Sequence, residues 1–127
     1  MSKGDSQLYL EDLTVGRRFT SPTHAVDEAQ IFAFAREFDP QPFHIDPKAA
    51  QASIFHGLAA SGWHTAALTM KLNVASLPIA GGILGLGGDI AWPNPMRPGD
   101  VLRVENEVVE VRESRSHPDR GIVTLHR

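Results

Sequence analysis

Residues 58–75 read Leu58-Ala-Ala-Ser-Gly-Trp-His-Thr-Ala-Ala-Leu-Thr-Met-Lys-Leu-Asn-Val-Ala75, and the fold class turns on them. The run is apolar or small almost throughout, with Lys71 its only charge. A helix that is apolar all round is a buried helix. A membrane span competes, but spans need ~20 mostly apolar residues. Ser61, His64, Thr65, Thr69, Lys71 and Asn73 weigh against that reading. A buried central helix is therefore expected over Leu58–Ala75.

Towards the C-terminus the chain changes character after Pro78. Ile79–Trp92 is rich in glycine and aliphatics, with no charge before Asp89. The run Gly81-Gly-Ile-Leu-Gly-Leu-Gly-Gly88 fits neither phosphate-loop pattern, and Asp-Ile-Ala-Trp-Pro follows it rather than a helix start. It reads as a strand whose small residues admit close packing of a helix. Arg97-Pro-Gly-Asp100 suits a type II turn. Val101–Glu113 is the clearest strand. Leu102, Val104 and Val108 share one face, and Arg103, Glu105 and Glu107 the other. Val109 and Val111 then reverse the alternation, so a β-bulge is expected near Val108. Ser116–Gly121 reads as a turn, and Ile122–His126 as a returning strand.

Towards the N-terminus, Leu13–Phe19 reads as a turn feeding a short strand that Thr20–Val26 extends. Asp27 with Gln30 forms a capping box. Ile31, Phe34, Ala35 and Phe38 fall on one helical stripe, and Pro40 stops that helix. Asp39–Pro47, with three prolines in nine residues, is expected to be irregular. Asp46 and Pro47 then start a short helix through about Ala52. Strands running antiparallel around one apolar helix make an α+β layer fold.

The length of 127 residues gives one domain. Hydrophobic residues at 42% and charged residues at 21% suit a globular chain. Twelve Lys and Arg against fifteen Asp and Glu leave a net charge of -3, which excludes a general nucleic-acid footprint. The absence of cysteine excludes disulfides, thiolate catalysis and cysteine-ligated zinc. The N-terminus Met-Ser-Lys-Gly-Asp-Ser is polar and lacks an apolar signal core, so a cytoplasmic location is expected.

Asp39 and His44 lie five residues apart in the proline-rich segment. Such a pair on a rigid loop can orient a water or share a proton. The plain alternative is a helix-ending Asp and a satisfied loop histidine. Gly57, in Phe55-His-Gly-Leu58, stands before the long helix, whose start offers unpaired N–H groups and partial positive charge. That suits an oxyanion site for a carbonyl, or a flexible cap. Thr65, two turns on, is either a polar contact in the pocket or a hydroxyl bonded back to a carbonyl. His56, His64 and Asp46 lack metal-ligand spacing, so no metal is expected.

Phe38-Asp-Pro-Gln-Pro-Phe-His-Ile-Asp-Pro-Lys-Ala-Ala50 resembles the hydratase motif of the MaoC-like family, the (R)-specific enoyl-CoA hydratases and related dehydratases. Phe55-His-Gly57 with Ala60–Ala66, and Arg97–Asp100, resemble its following helix and turn. Phe38 and Gln41 depart from that motif, which has Gly and Asn there. The resemblance runs from about Leu13 to the end. It implies a hotdog fold, an antiparallel sheet wrapped around the long helix, as a homodimer or higher homo-oligomer. The chain reads as a single such domain over 1–127, lacking the family's last strand, with Ile79–Trp92 the expected dimer contact.

By position the resemblance makes Asp39 and His44 the catalytic pair, Gly57 the oxyanion N–H and Thr65 a pocket hydroxyl. It implies a hydro-lyase of fatty acid metabolism that adds or removes water across the double bond of an enoyl thioester. The substrate is an acyl thioester of coenzyme A or acyl carrier protein, with no separate cofactor, no metal, no nucleic acid and no membrane. The alternatives are a hotdog thioesterase and a non-catalytic acyl-thioester-binding subunit.

Overall fold

The long helix starts four residues later than its composition suggests. In the computed structural model, which describes residues 7–113 and 121–126, Leu58–Ser61 are not helical. Ala59 N–H donates to the Phe43 carbonyl (3.2 Å) and Ala60 N–H to the Met96 carbonyl (2.8 Å). These bonds commit the segment to lateral partners, and the helix begins after Ser61.

The elements in chain order are β1 (Arg18–Thr20), β2 (His24–Ala25), α1 (Glu28–Phe38), α2 (Pro42–Ile45), α3 (Pro47–Gln51), α4 (Gly62–Ser76), β3 (Val101–Leu102), β4 (Glu105–Glu113) and β5 (Gly121–His126). The expected Thr20–Val26 strand is broken at Ser21-Pro22, because β1 pairs with β4 whereas β2 pairs with β3. Val101–Glu113 is broken to match, between Leu102 and Glu105. Helix α4 is not buried all round. His64, Leu68, Leu72 and Ser76 are buried, but Trp63, Met70 and Val74 are exposed.

The described chain packs as two compact units. One comprises the chain up to Pro22, Lys71–Leu86 and Arg103 onward. Its sheet is antiparallel with strand order β1-β4-β5. The register of β4 on β5 shifts between Val108 and Glu110, which is the expected bulge. Val109 is the extra residue and is exposed, while Val108 is fully buried. Asn106 is also buried, and its Nδ2 donates to Asn73 Oδ1 (2.5 Å) and Ser76 Oγ (3.2 Å). The expected Ser116–Gly121 turn lies outside the described residues. Among those residues β5 pairs with β4 alone.

The glycine-rich strand expected over Ile79–Trp92 does not form. Only Ile79 makes a bridge, parallel, to Leu8. Residues 83–92 are all exposed. Five glycines weaken strand preference there, and among the described residues no strand supplies a ladder.

The other unit comprises Thr23–Met70 and Gly87–Leu102. Its two-stranded sheet pairs His24 with Leu102 and Ala25 with Val101. The Arg97–Asp100 turn forms as expected, with Gly99 at φ 90° and Asp100 N–H on the Arg97 carbonyl (3.1 Å). Val26, Ile31, Ala50, Leu58, Ala60, Leu68 and Met96 form the core, with Phe32, Phe43 and Leu102 packed against it. On α1, Ile31 and Ala35 are buried, Phe34 is half-buried and Phe38 is exposed. Asp27 caps α1 by accepting Gln30 N–H (2.8 Å). The reciprocal arm of the capping box is absent, because Gln30 turns its side chain to His24 Nε2 (2.8 Å) and the Ala25 carbonyl (3.2 Å). Among the described residues no helix is long and apolar enough to cross a membrane.

Candidate active site

The proline-rich segment is more ordered than its composition suggests. Pro42 sits in the first turn of α2 and Pro47 in that of α3, where a proline's missing N–H costs nothing. Asp46 caps α3 by accepting the Lys48 and Ala49 N–H groups. Asp39 closes α1, its N–H on the Ala35 carbonyl (2.8 Å). These short helices hold Asp39 and His44 at opposite ends of one tight bend.

The two side chains converge, with His44 Nε2 3.4 Å from Asp39 Oδ2. His44 is buried, and its Nδ1 lies 2.5 Å from the Ala59 carbonyl oxygen. A carbonyl can only accept, so Nδ1 carries a proton, and in the neutral ring Nε2 is then the lone-pair nitrogen. Asp39 Oδ1 accepts from Gln41 Nε2 (2.7 Å), and Oδ2 accepts from Ser61 Oγ (2.6 Å). Burial pushes the Asp39 carboxyl up. The Ser61 and Gln41 hydrogen bonds and the nearby His44 together outweigh it and hold the group below the ordinary value of 3.8.

Asp39 and His44 line a cavity of 390 Å³ with Gln41, Phe43, Phe55, Ala60, Gly62, Trp63, Thr65, Trp92 and the Pro93–Met96 segment. Its walls are mostly apolar, with a few convergent polar groups. Trp63 and Trp92 meet edge to face at 5.3 Å. A Cβ on Gly62 would lie 2.9 Å from Trp92 Cε2, so only glycine lets that ring lie over the start of α4. Thr65 also faces this cavity, its hydroxyl 3.8 Å from Met96 Sδ. The bond back to a carbonyl one turn earlier belongs instead to Thr69, on the Thr65 carbonyl (2.8 Å).

Gly57 does not join them. It precedes α4 by five residues, and its N–H is spent on the Ala50 carbonyl (3.0 Å), closing the turn after α3. Arg97 pins this loop, donating to the Phe55 carbonyl (2.6 Å) and the Leu58 carbonyl (3.2 Å). Reading the helix start at Leu58 brings Gly57 closer to α4 than the structure places it. Sequence reasoning also missed Ser61, Trp63 and Trp92. The signal for Ser61 was available, as a serine followed by Gly-Trp-His is a fair N-cap. The two tryptophans are brought together from separate segments and leave no local signal.

The MaoC like domain model matches residues 12–126. The chain is 60% identical to the MaoC-like dehydratase of Rhodospirillum rubrum, with a TM-score of 0.89 over 93% of this chain and 82% of that one. It is 31% identical to the (R)-hydratase of A. caviae involved in PHA biosynthesis, with a TM-score of 0.69 over 81% of this chain and 77% of that one. The uncharacterized protein YdeM of Bacillus subtilis is 31% identical over 126 residues, 91% of this chain and 82% of YdeM. The fold class is thus the α+β hotdog class. A domain match that takes in both the Asp39–His44 bend and the β4–β5 hairpin means that this chain belongs to the MaoC-like family.

Proposed function

We propose that this protein is a hydro-lyase that adds water to, or removes it from, the double bond of an enoyl thioester carried on coenzyme A or acyl carrier protein. The observation that carries this is the Asp39–His44 pair, with Nε2 and Oδ2 3.4 Å apart on the wall of an apolar cavity. A water hydrogen-bonded to both from the cavity side gives a proton to His44 Nε2 while its oxygen bonds to the β carbon. The double-bond pair moves towards the thioester carbonyl, and the α carbon then takes a proton back from the imidazolium. Asp39 stays anionic, orients the water and offsets the imidazolium charge. Because Gly57 N–H is committed to Ala50, we assign polarisation of the carbonyl to the start of α4 at Gly62, where the helix end carries partial positive charge. The substrate brings its own carrier, and the chemistry draws on the Asp39 and His44 side chains and the backbone at the start of α4.

We further read the chain as a homodimer, since Leu84, Leu86 and Ile90 are exposed in a run that pairs with no described strand. Light scattering at micromolar concentration checks this, and a monomer overturns it.

A panel of enoyl-CoA substrates, followed by loss of the conjugated-thioester absorbance, tests the activity. Release of free thiol instead of hydration indicates a thioesterase. Binding of acyl-CoA without turnover indicates a non-catalytic subunit.

A further inference from the structure

Asp39 is gripped at both oxygens, but the two grips differ in kind. Gln41, on Oδ1, is exposed and lies two residues away on the same bend. Ser61, on Oδ2, is 0% exposed and lies at the N-cap of a different element, α4. Oδ2 is also the oxygen that faces His44 Nε2. Ser61 is thus the donor that ties the working face of the carboxylate to the body of this unit.

Capping α4 does not require that bond. As a cap, Ser61 uses acceptors: its Oγ takes Trp63 N–H (3.3 Å), and its carbonyl takes the N–H groups of His64 (3.0 Å) and Thr65 (3.2 Å). The hydroxyl proton is left over, and it goes to Asp39. A glycine would cap nearly as well and carry no such proton.

We propose that Ser61 is a positioning residue, whose buried hydroxyl fixes Asp39 Oδ2 against His44 Nε2 so that both groups act on one water. The inference rests on the hydration reading above. A donor on Oδ2 also lowers its basicity, which leaves His44 as the base and Asp39 as the fixed anion. The orientation matters because small misplacements of reacting groups are costly in rate.

The test compares the native chain with Ser61→Gly and Ser61→Thr. Carbon-13 NMR titration of the Asp39 carboxyl needs no turnover. In Ser61→Gly it should move up by about one pH unit, the scale of one lost hydrogen bond to a charge. Ser61→Thr, which keeps the hydroxyl, should leave it near the native value. In turnover, Ser61→Gly should lower kcat by about tenfold or more with little change in KM. The acidic limb of kcat/KM should move to higher pH with the carboxyl. Asp39 titrating alike in the native chain and Ser61→Gly overturns the proposal. So does a native Asp39 titrating at or above the ordinary value, a result available even if the glycine variant does not fold. A native chain that hydrates no enoyl thioester overturns the functional reading, and the NMR titration still decides whether Ser61 controls Asp39.

Discussion

The imidazole of His44 donates from Nδ1 to the carbonyl oxygen of Ala59, 2.5 Å away, which turns its Nε2 towards Asp39 Oδ2. Ala59 belongs to the segment that composition alone assigns to the helix. Had it been helical, its carbonyl would have accepted from the next turn. The non-helical start of this segment therefore frees the acceptor that sets the tautomer of the base.

Asp39→Asn and His44→Ala should each lower kcat by ~10²-fold or more, the scale of a lost general acid–base group. Asp39→Asn should keep the native circular dichroism, because the amide nearly matches the carboxylate in shape. His44→Ala should also cost ~1–3 kcal/mol in denaturant unfolding, since it strips the Ala59 carbonyl of its donor. Undiminished turnover in both variants removes the pair from the chemistry.

His64 should make stability depend on pH near neutrality. Burial, then the charge of His24, hold its pKa below the ordinary 6.5. Its Nδ1 is buried with no hydrogen-bond partner among the described residues, and its ring stacks on Phe34 at 4.8 Å. As pH falls below 6.5, the unfolded chain takes up the proton first, so stability drops with acidification. Asp39 adds a second loss at lower pH. Its stabilisation is present above 3.8 and disappears as pH falls through its lower folded value. Melting curves from about pH 5 to pH 8 should show a slope that His64→Phe flattens. An equal slope in that variant assigns it elsewhere.

Gly62→Ala should destabilise the protein, although alanine is ordinarily the better helix residue by ~1 kcal/mol. The new methyl would meet the body of the Trp92 ring at 2.9–3.0 Å, and a ring body cannot swing clear as a flexible chain end can. Overpacking of this kind costs ~1–3 kcal/mol. Trp92→Ala should abolish the penalty, so the double variant should be more stable than the two single effects predict. Additive effects mean that the ring does not lie over the helix start.

His56 is the one non-glycine residue with positive φ among the described residues, at 55°. It is exposed and lies outside the cavity lining. His56→Gly should raise stability by about 0.5–1 kcal/mol, because left-handed backbone strain outweighs the added chain entropy. Turnover should not change. A loss of activity would give His56 a role that its position does not suggest.

Local chemistry was legible wherever one stretch of chain determined the outcome. Asp27 and Asp46 as caps, the Arg97–Asp100 turn and the irregularity after Val108 all depend on a few consecutive residues, and all form. The Asp39–His44 pair belongs with these, since the prolines between and after them fix a short bend. What composition hid was competition. Leu58–Ser61 looks helical until the Phe43 and Met96 backbones claim its N–H groups. Ile79–Trp92 looks like a strand, but a strand exists only with a neighbour. Gly57 lies further from α4 than expected for the first of these reasons. Ser61 was missed because its hydrogen-bond partner lies 22 residues away.

The extra residue at Val109 gives β4 two frames. Before it, the even positions Asn106 and Val108 are buried; after it, odd Val111 is the half-buried side chain. Removing one residue at the bulge, either of the adjacent valines Val108 and Val109 or Glu110, would join the two frames into continuous alternation, with Asn106, one valine and Val111 on one face. Removal of Glu107 would instead put Val108 on the opposite face from Asn106. Length variation in this strand is therefore tolerated at the bulge, over Val108–Glu110, and punished before it, so an alignment gap in β4 has one physically sensible stretch in which to fall.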